Sequence, residues 1–202
     1  MKKFAENEIE DWEEEYLNHI KGKIRMVPGF PKDGIVFGDI TTLIRDPKAF
    51  RESISKMADY FRKKNVDVIV STESRGFIFG APLAVELGAG FVPVRKPGKL
   101  PWKTEKASYS LEYGQDSVEI HADAIQERQN VLIVDDLLAT GGTIMATADL
   151  VKRLGGNVVG FCFLIELLFC NGREKLKGSD VYSLIQYNSQ EEMEEIWKNC
   201  KK

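Results

Sequence analysis

Cysteine is scarce in this sequence: the 202 residues include three, Cys162, Cys170 and Cys200. They form no CxxC pair, and their number is odd. Two of them lie in apolar stretches, which favours buried reduced thiols over disulfides or a zinc site. The sequence therefore predicts free thiols.

Long apolar segments are also missing. The longest apolar run, Val158 to Cys170, contains Glu166 and is shorter than the roughly 20 residues that a membrane-spanning helix needs. The first residues run directly into acidic ones and lack the apolar core of a secretion signal. We therefore expect a cytoplasmic protein with no membrane partner.

An excess of positive charge is absent as well, because the formal net charge is -3 and the pI is near 5.6. Such a chain has no general attraction to nucleic acid, so we expect no nucleic-acid partner, and any anion site must be a local cluster. Two nucleotide-binding motifs are also missing, GxxxxGK[ST] and GxGxxG. Their absence disfavours a nucleoside-triphosphate loop and a dinucleotide site.

The middle of the chain alternates short apolar runs with helical patterns. Continuous apolar strands separated by helices predict an α/β fold whose central, mainly parallel sheet is flanked by helices. The predicted elements are strand 66–71, helix 78–87, strand 90–94, strand 131–134, helix 144–154 and strand 158–165. In such sheets ligands bind at the carboxyl ends of the strands.

The regions outside this alternation have patterns of their own. Apolar residues at helical spacing between 7 and 21, with acidic residues mostly on the other side, predict an acidic amphipathic surface helix within an extension over 1–22. A C-terminal helix is expected within 189–202. Residues 95 to about 117 show no clear periodicity, and a loop of that length in a compact domain is usually a functional lid or disordered.

The strongest motif lies at 131–143, where an apolar run is followed by Asp135 and Asp136, a short turn and a helix. Gly141 and Gly142 allow successive backbone N–H groups to converge on an anion, which the helix dipole also favours. Two carboxylates so close to a phosphate need another target, and sugar hydroxyls or a magnesium ion fit best. The alternative is that the Asp-Asp pair only caps a turn and binds no ligand.

Two further segments follow predicted strands and carry cations. Arg75 stands at the start of the helix after strand 66–71 and suits phosphate oxygens, although pairing with Glu73 or Glu86 is an equal alternative. Four cations lie within 95–103, where a solvated charge run is the usual explanation. Because this run follows a strand end at the same sheet edge, a pyrophosphate site is favoured.

A loop acid, Glu112, stands between Tyr109 and Tyr113. On a loop that closes over a sugar, it would be kept dry until substrate binds. Composition alone leaves it an ordinary loop residue.

Four segments together are similar to the adenine branch of the type I phosphoribosyltransferase family. They are Phe30 to Phe37, Glu73 to Phe77, Tyr109 to Gly114, and the loop at 131–143. The resemblance covers about 24–175 and implies a phosphoribosyltransferase domain over 23–188. That domain would have a small N-terminal hood at about 24–45 and a flexible lid loop at about 95–117.

The resemblance also implies the reaction and a role for each matching residue. The family transfers the phosphoribosyl group from phosphoribosyl pyrophosphate to adenine in purine salvage, giving AMP and pyrophosphate. It acts as a homodimer, with Mg2+ held mainly through the substrate. The implied roles are Val36, Phe37 and Asp39 for the base; Arg75, Arg95, Lys96 and Lys99 for pyrophosphate; Asp135 and Asp136 for the ribose diol; Ala139, Thr140, Gly141, Gly142 and Thr143 for the 5-phosphate; and Glu112 for catalysis.

One position departs from the family pattern, because Gly38 stands where an Arg or Lys is usual. The missing cation bears on base selectivity, so the same reaction on hypoxanthine or guanine is the nearest alternative. A non-catalytic protein that senses phosphoribosyl pyrophosphate is a second one. The acidic N-terminal extension argues against a nucleic-acid-binding repressor of that kind.

Overall fold

The computed structural model describes residues 16–111 and 114–200, and these residues form two compact units. We call residues 16–53 with 187–200 the terminal unit, and residues 54–186 the sheet unit. The strands are β1 (Arg25–Pro28), β2 (Val36–Asp39), β3 (Val68–Thr72), β4 (Gly90–Val94), β5 (Thr104–Leu111), β6 (Gly114–His121), β7 (Asn130–Leu138), β8 (Asn157–Leu167) and β9 (Val181–Tyr187). The helices with defined bounds are α1 (Thr41–Arg45), α2 (Pro47–Phe61), α3 (Gly76–Leu87), α4 (Gly142–Arg153) and α5 (Gln190–Asn199).

The terminal unit combines both ends of the described chain. Residues 16–21 are helical, and β1 and β2 follow as an antiparallel pair. Helix α5 begins at the Ser189 side chain, which accepts a hydrogen bond from the Glu192 backbone N–H at 3.2 Å, and it packs on both strands. Residues 1–15 of the predicted acidic extension lie outside the described part.

The sheet unit contains a five-stranded sheet in the order β4-β3-β7-β8-β9. The pairs β3–β4, β3–β7 and β7–β8 are parallel, which confirms the predicted α/β fold with a mainly parallel central sheet. Every residue of β3 is buried, as expected for a strand covered on both faces. Helix α4 buries Ile144, Ala148 and Val151, and Gly155 with a φ of +86° follows its end.

The stretch at 95–117 contains regular structure where the sequence predicted a long loop. Strands β5 and β6 form an antiparallel hairpin in which Ala107 pairs with Val118, and both side chains are buried. The inward-facing positions of β5 are occupied by small or polar-tipped residues such as Ala107 and Tyr109. This weakens the two-residue periodicity by which a strand is recognised.

Candidate active site

The carboxyl ends of β4, β3 and β7 lie side by side at one edge of the sheet. The chain leaves β3 to form β4 on one side and later forms β7 on the other side of β3. Such a switch point is the usual ligand site of an open parallel sheet. The predicted residues of the sheet unit lie at these strand ends: Arg75 after β3; Arg95, Lys96 and Lys99 after β4; and Asp135, Asp136 and 139–143 at the end of β7.

The loop between β7 and α4 has the conformation expected of an anion site. Gly141 is the residue before the helix and has a φ of +75°, whereas Gly142 is already the first helical residue. Within the described part of the chain no side chain caps the helix start, so its first N–H groups are open to an anion that the helix dipole also favours. Gly141 is therefore the position at which the loop conformation requires a glycine.

Strand β7 is longer than predicted, and the two acids lie within it. The expected end was Val134, but Leu137 and Leu138 continue the strand by pairing with Ile165 and Glu166 of β8. Acidic residues are disfavoured in strands, so Asp135 and Asp136 suggested that the strand ends at Val134. Pairing with β8 outweighs this preference. Successive strand residues point to opposite faces, yet these two side chains still lie close enough to influence each other's ionisation.

The two carboxylates have different partners. Asp135 accepts a short hydrogen bond from the Thr72 hydroxyl, and its other oxygen accepts one from the Asp136 backbone N–H at 2.9 Å. Asp136 is 5% exposed, and one of its oxygens lies 2.7 Å from Nε of Arg75. Pairing with an acid was the equal alternative for Arg75, and the structure shows Asp136 as such a partner.

Burial raises the pKa of both carboxyls. For Asp135 the charge of Asp136 adds to the effect of burial and moves its pKa well above the ordinary 3.8, while the Thr72 hydrogen bond opposes the shift. For Asp136 the pKa is also raised by burial, although Arg75 works against the increase. The surroundings therefore disfavour the charged form of both carboxyls, which is a common property of functional carboxylates.

Asp135→Asn is expected to raise the melting temperature at pH 7.5, because folding disfavours ionisation of Asp135 and the amide does not ionise. An acid with a raised pKa favours the folded state below its unfolded pKa near 3.8, and that contribution is lost as pH rises through the raised value. The Tm advantage of the variant should therefore grow from pH 4 to pH 8, by roughly 2–4 °C for each kcal/mol recovered. Calorimetric melts across this range measure it.

The control for that measurement is Asp123→Asn, which neutralises an exposed acid of the same unit. It should change Tm little at any pH. An Asp135→Asn advantage that stays constant with pH would show that charge is not the cause.

Two of the predicted pyrophosphate cations after β4, Arg95 and Lys96, are held by carboxylates. Nε of Arg95 lies 2.6 Å from Oε2 of Glu73, and Nζ of Lys96 forms a short ion pair with Asp116 of β6. Burial works to lower the pKa of Lys96, but the hydrogen bond that it donates to Asp116 and the nearby Tyr109 raise the pKa overall. These cations are thus positioned at the sheet edge before any anionic ligand binds.

The segment after β4 is attached to the hairpin. The backbones of Arg95 and Glu119 exchange hydrogen bonds of 2.9 and 2.7 Å, and the Gly98 N–H donates to Oε2 of Glu119 at 3.1 Å. The Lys99 carbonyl accepts a 3.3 Å hydrogen bond from Arg95. Among the described residues, Lys99 Nζ forms no ion pair. Glu112 lies outside the described residues.

The predicted base-binding residues lie on β2 of the terminal unit. The Val36 N–H donates to Oε1 of Gln190 at 2.7 Å, and the Phe37 ring packs edge-on against Phe30 at 5.1 Å. Asp39 accepts hydrogen bonds from Arg25 and Thr41, which outweigh burial and keep its pKa below the ordinary value. Within this unit the Asp39 carboxylate serves to hold the start of α1.

Comparison with known proteins accounts for this arrangement. The family model of the phosphoribosyl transferase domain matches residues 39–197. Adenine phosphoribosyltransferase of Clostridium acetobutylicum is 56% identical over 169 residues, covering 84% of this chain and 98% of the relative. The crystal structure of the Thermoanaerobacter pseudethanolicus enzyme of the same name is 57% identical, covers 85% of this chain and 99% of its own, and superposes with a TM-score of 0.83.

The chain belongs to the adenine phosphoribosyltransferase family. The resemblance drawn from the four sequence segments is thereby confirmed. A more distant family member, from Saccharomyces cerevisiae, was crystallised with adenine and an imino-altritol bisphosphate. It is 43% identical, covers 85% of this chain and 99% of its own, and has a TM-score of 0.80.

Several contacts of this adenine phosphoribosyltransferase family member were not apparent from its sequence. A Cβ at Gly76 would lie 2.6 Å from Oδ1 of Asp135 and 2.8 Å from Oγ of Ser71, so α3 starts against the site only because residue 76 is glycine. A glycine at a helix start is unfavourable by propensity, which was the one available signal. The roles of Thr72 and Asp116 depend on strand pairing and had no local signal.

The site of this family member also fits the expected metal. Across the described ranges, no cluster of three or more His, Cys, Asp or Glu side chains could hold a metal ion. Asp135 and Asp136 offer two adjacent carboxylates, and Mg2+ in nucleotide sites is commonly bound by one or two carboxylates together with substrate phosphates.

Over residues 16–111 and 114–200, no helix has the length and apolar character needed to span a membrane.

Proposed function

We propose that this chain transfers the phosphoribosyl group from phosphoribosyl pyrophosphate to adenine, giving AMP and pyrophosphate in purine salvage. The observation that carries the proposal is the loop at 135–143, where a partly buried carboxylate (Asp135) and a buried one (Asp136) precede an uncapped helix start with a positive-φ glycine. One part suits a phosphate and the other a diol, which together describe ribose 5-phosphate. The relatives named above are enzymes of this reaction.

The 5-phosphate binds the backbone of Ala139 to Thr143 and the hydroxyls of Thr140 and Thr143. The ribose hydroxyls bind Asp135 and Asp136, whose raised pKa values favour a ligand that donates hydrogen bonds. Hydrogen bonds from the ribose hydroxyls offset the unfavourable free energy of two neighbouring acids that are shielded from solvent.

The pyrophosphate group binds Arg75, Arg95, Lys96 and Lys99. Three of these have carboxylate partners, Asp136, Glu73 and Asp116. Partly exposed ion pairs contribute at most about 1 kcal/mol each, so a polyanion that contacts several cations at once displaces them readily. The carboxylates thus keep the cations in place without preventing binding.

Chemistry at C1 of the ribose builds positive charge on the sugar and negative charge on the departing pyrophosphate. The cations after β3 and β4 stabilise the leaving group. Glu112 supplies the carboxylate that stabilises the sugar charge or accepts the proton that adenine loses. Asp135 and Asp136 are the residues that would help to hold Mg2+ together with the substrate, and the ion would supply charge neutralisation of the phosphates.

The base binds the strand that carries Val36, Phe37 and Asp39, with Phe37 beside the ring. Gly38 pairs with Met26 across the β1–β2 ladder and supplies no cation there.

We further propose that the enzyme is a cytoplasmic homodimer. Sedimentation at micromolar concentration tests the dimer.

Pyrophosphate release tests the reaction. Purified protein with Mg2+ and phosphoribosyl pyrophosphate should release pyrophosphate with adenine, and far less with hypoxanthine, guanine, xanthine or orotate. Faster release with hypoxanthine or guanine would assign the base selectivity to the nearest alternative. Tight binding of phosphoribosyl pyrophosphate without release with any base would make the chain a sensor.

A further inference from the structure

A buried carboxylate that the proposed reaction does not use lies near the end of β8. Glu166 is 1% exposed and accepts hydrogen bonds from four side-chain groups. Nε of Arg173 donates to it at 2.8 Å and Nη2 at 2.5 Å, Oγ of Ser183 at 2.7 Å, and Nε2 of Gln186 at 3.3 Å. The two parallel bonds from Arg173 form the bidentate geometry that fixes both orientation and distance.

Glu166 is charged in spite of its burial. Burial acts to raise the pKa of Glu166. The hydrogen bonds from Arg173 and Ser183 lower it by a larger amount, so the pKa lies below its ordinary value. Removing one partner of such a pair leaves the other buried without compensation. The pair is therefore a strong constraint on the chain that carries Arg173.

Arg173 belongs to the short 3-10 turn Gly172–Leu176, which follows β8. Besides holding Glu166, its Nη1 donates to the Val181 carbonyl of β9 at 3.1 Å. The side chain thus connects this turn to the ends of two neighbouring strands. Five guanidinium donors in a fixed plane make Arg suited to this, and Lys could not reproduce it.

The residue before Arg173 lies directly against the phosphate loop. A Cβ at Gly172 would be 2.1 Å from the Ala139 carbonyl oxygen, and a Cβ at Gly141 would be 3.1 Å from the Gly172 carbonyl oxygen. Backbone therefore touches backbone, with no side chain between them that could adjust. A displacement of the 3-10 turn is transmitted to residues 139–141.

We propose that Glu166 and Arg173 are positioning residues for the 5-phosphate loop, acting through the backbone of Gly172. The inference rests on the proposed function, because it assigns these residues to the subsite for the sugar phosphate. It predicts that loss of the pair weakens binding of the phosphate end of the substrate selectively. The pyrophosphate end is bound by segments after β3 and β4 that this pair does not contact.

Calorimetric titrations with ribose 5-phosphate and, separately, with pyrophosphate and Mg2+ test the proposal. Glu166→Gln and Arg173→Lys should each raise the Kd for ribose 5-phosphate about 10- to 100-fold, as misplacement of a binding group does. The Kd for pyrophosphate should stay at the wild-type value. In steady state, the KM for phosphoribosyl pyrophosphate should rise more than kcat falls.

Gly172→Ala is a second, independent variant, since it leaves the ion pair intact and acts on the loop directly. It should show the same selective loss, and it decides the question if the other two variants do not fold. The matched control is Glu86→Gln, which removes a 2.6 Å ion pair with Arg62 on the exposed surface of the same unit. It should change neither Kd.

Wild-type affinity for ribose 5-phosphate in the folded variants overturns the proposal, and so does an equal loss for both ligands. A failure of the proposed function is separate and is seen in the wild-type protein. It consists of no affinity for phosphoribosyl pyrophosphate and no base-dependent pyrophosphate release.

Discussion

Gly141→Val is expected to raise the Kd for phosphoribosyl pyrophosphate by about 100-fold while the protein still folds. Gly141 has a φ of +75°, and a non-glycine residue in such a conformation costs about 1–3 kcal/mol, with β-branched residues at the upper end. A side chain there would also approach the Gly172 carbonyl oxygen, 3.1 Å from the Cβ position. The loop relaxes by turning its N–H groups away from the anion, and each 1.4 kcal/mol lost is a tenfold weaker Kd.

The control is Gly178→Val, at a turn glycine with a φ of +85° and nothing within 4 Å of its Cβ position. It incurs the same backbone strain away from the site. Titration calorimetry should give it wild-type affinity, with a lower Tm in both variants. Equal affinities of the two valine variants would mean that the loop does not grip the sugar phosphate.

The sequence predicted the location of the site because its signals are local. Gly141 and Gly142 at a helix start, two acids before them and cations after a strand are each visible within a few residues. The parallel sheet adds the rule that strand ends on one edge face the same ligand. Arg75, Lys96 and Asp136 could therefore be assigned to one edge before their contacts were known.

The contacts could not be predicted, because they depend on pairing between segments distant in sequence. Strand β7 continues past Val134 since β8 pairs with Leu137 and Leu138. Lys96 meets Asp116 because the hairpin register brings β6 beside the segment after β4. The cis peptide between Glu73 and Ser74 has no residue preference that would reveal it, since cis bonds away from proline are rare.

The electrostatics of the site depend on both the local motifs and the contacts between distant segments. At the sheet edge Asp136 pairs with Arg75, and Asp116 pairs with Lys96. Under the proposed function, ribose hydroxyls and pyrophosphate would replace the first pair, and pyrophosphate would replace Asp116 at Lys96. Preorganisation of this kind lowers the ordering cost of binding.

Glu112→Gln is expected to lower kcat for AMP formation by roughly 10²- to 10⁴-fold, the range that a positioned acid or base contributes. Glutamine keeps the size of the side chain and removes its charge and basicity. An interaction made only in the transition state affects kcat and leaves substrate binding nearly unchanged, so the KM for phosphoribosyl pyrophosphate should stay within about threefold. Steady-state pyrophosphate release measures both constants.

The matched control for Glu112 is Glu105→Gln, which neutralises an exposed acid on β5 of the same hairpin and should leave kcat unchanged. Glu112→Ala separates the two chemical roles when formate and more basic carboxylates are added in turn. Rescue of kcat that increases with the basicity of the added anion assigns proton transfer, and rescue that is independent of basicity assigns stabilisation of the sugar charge. A Glu112→Gln enzyme with the kcat of the wild type would exclude both roles and require another group to act at C1.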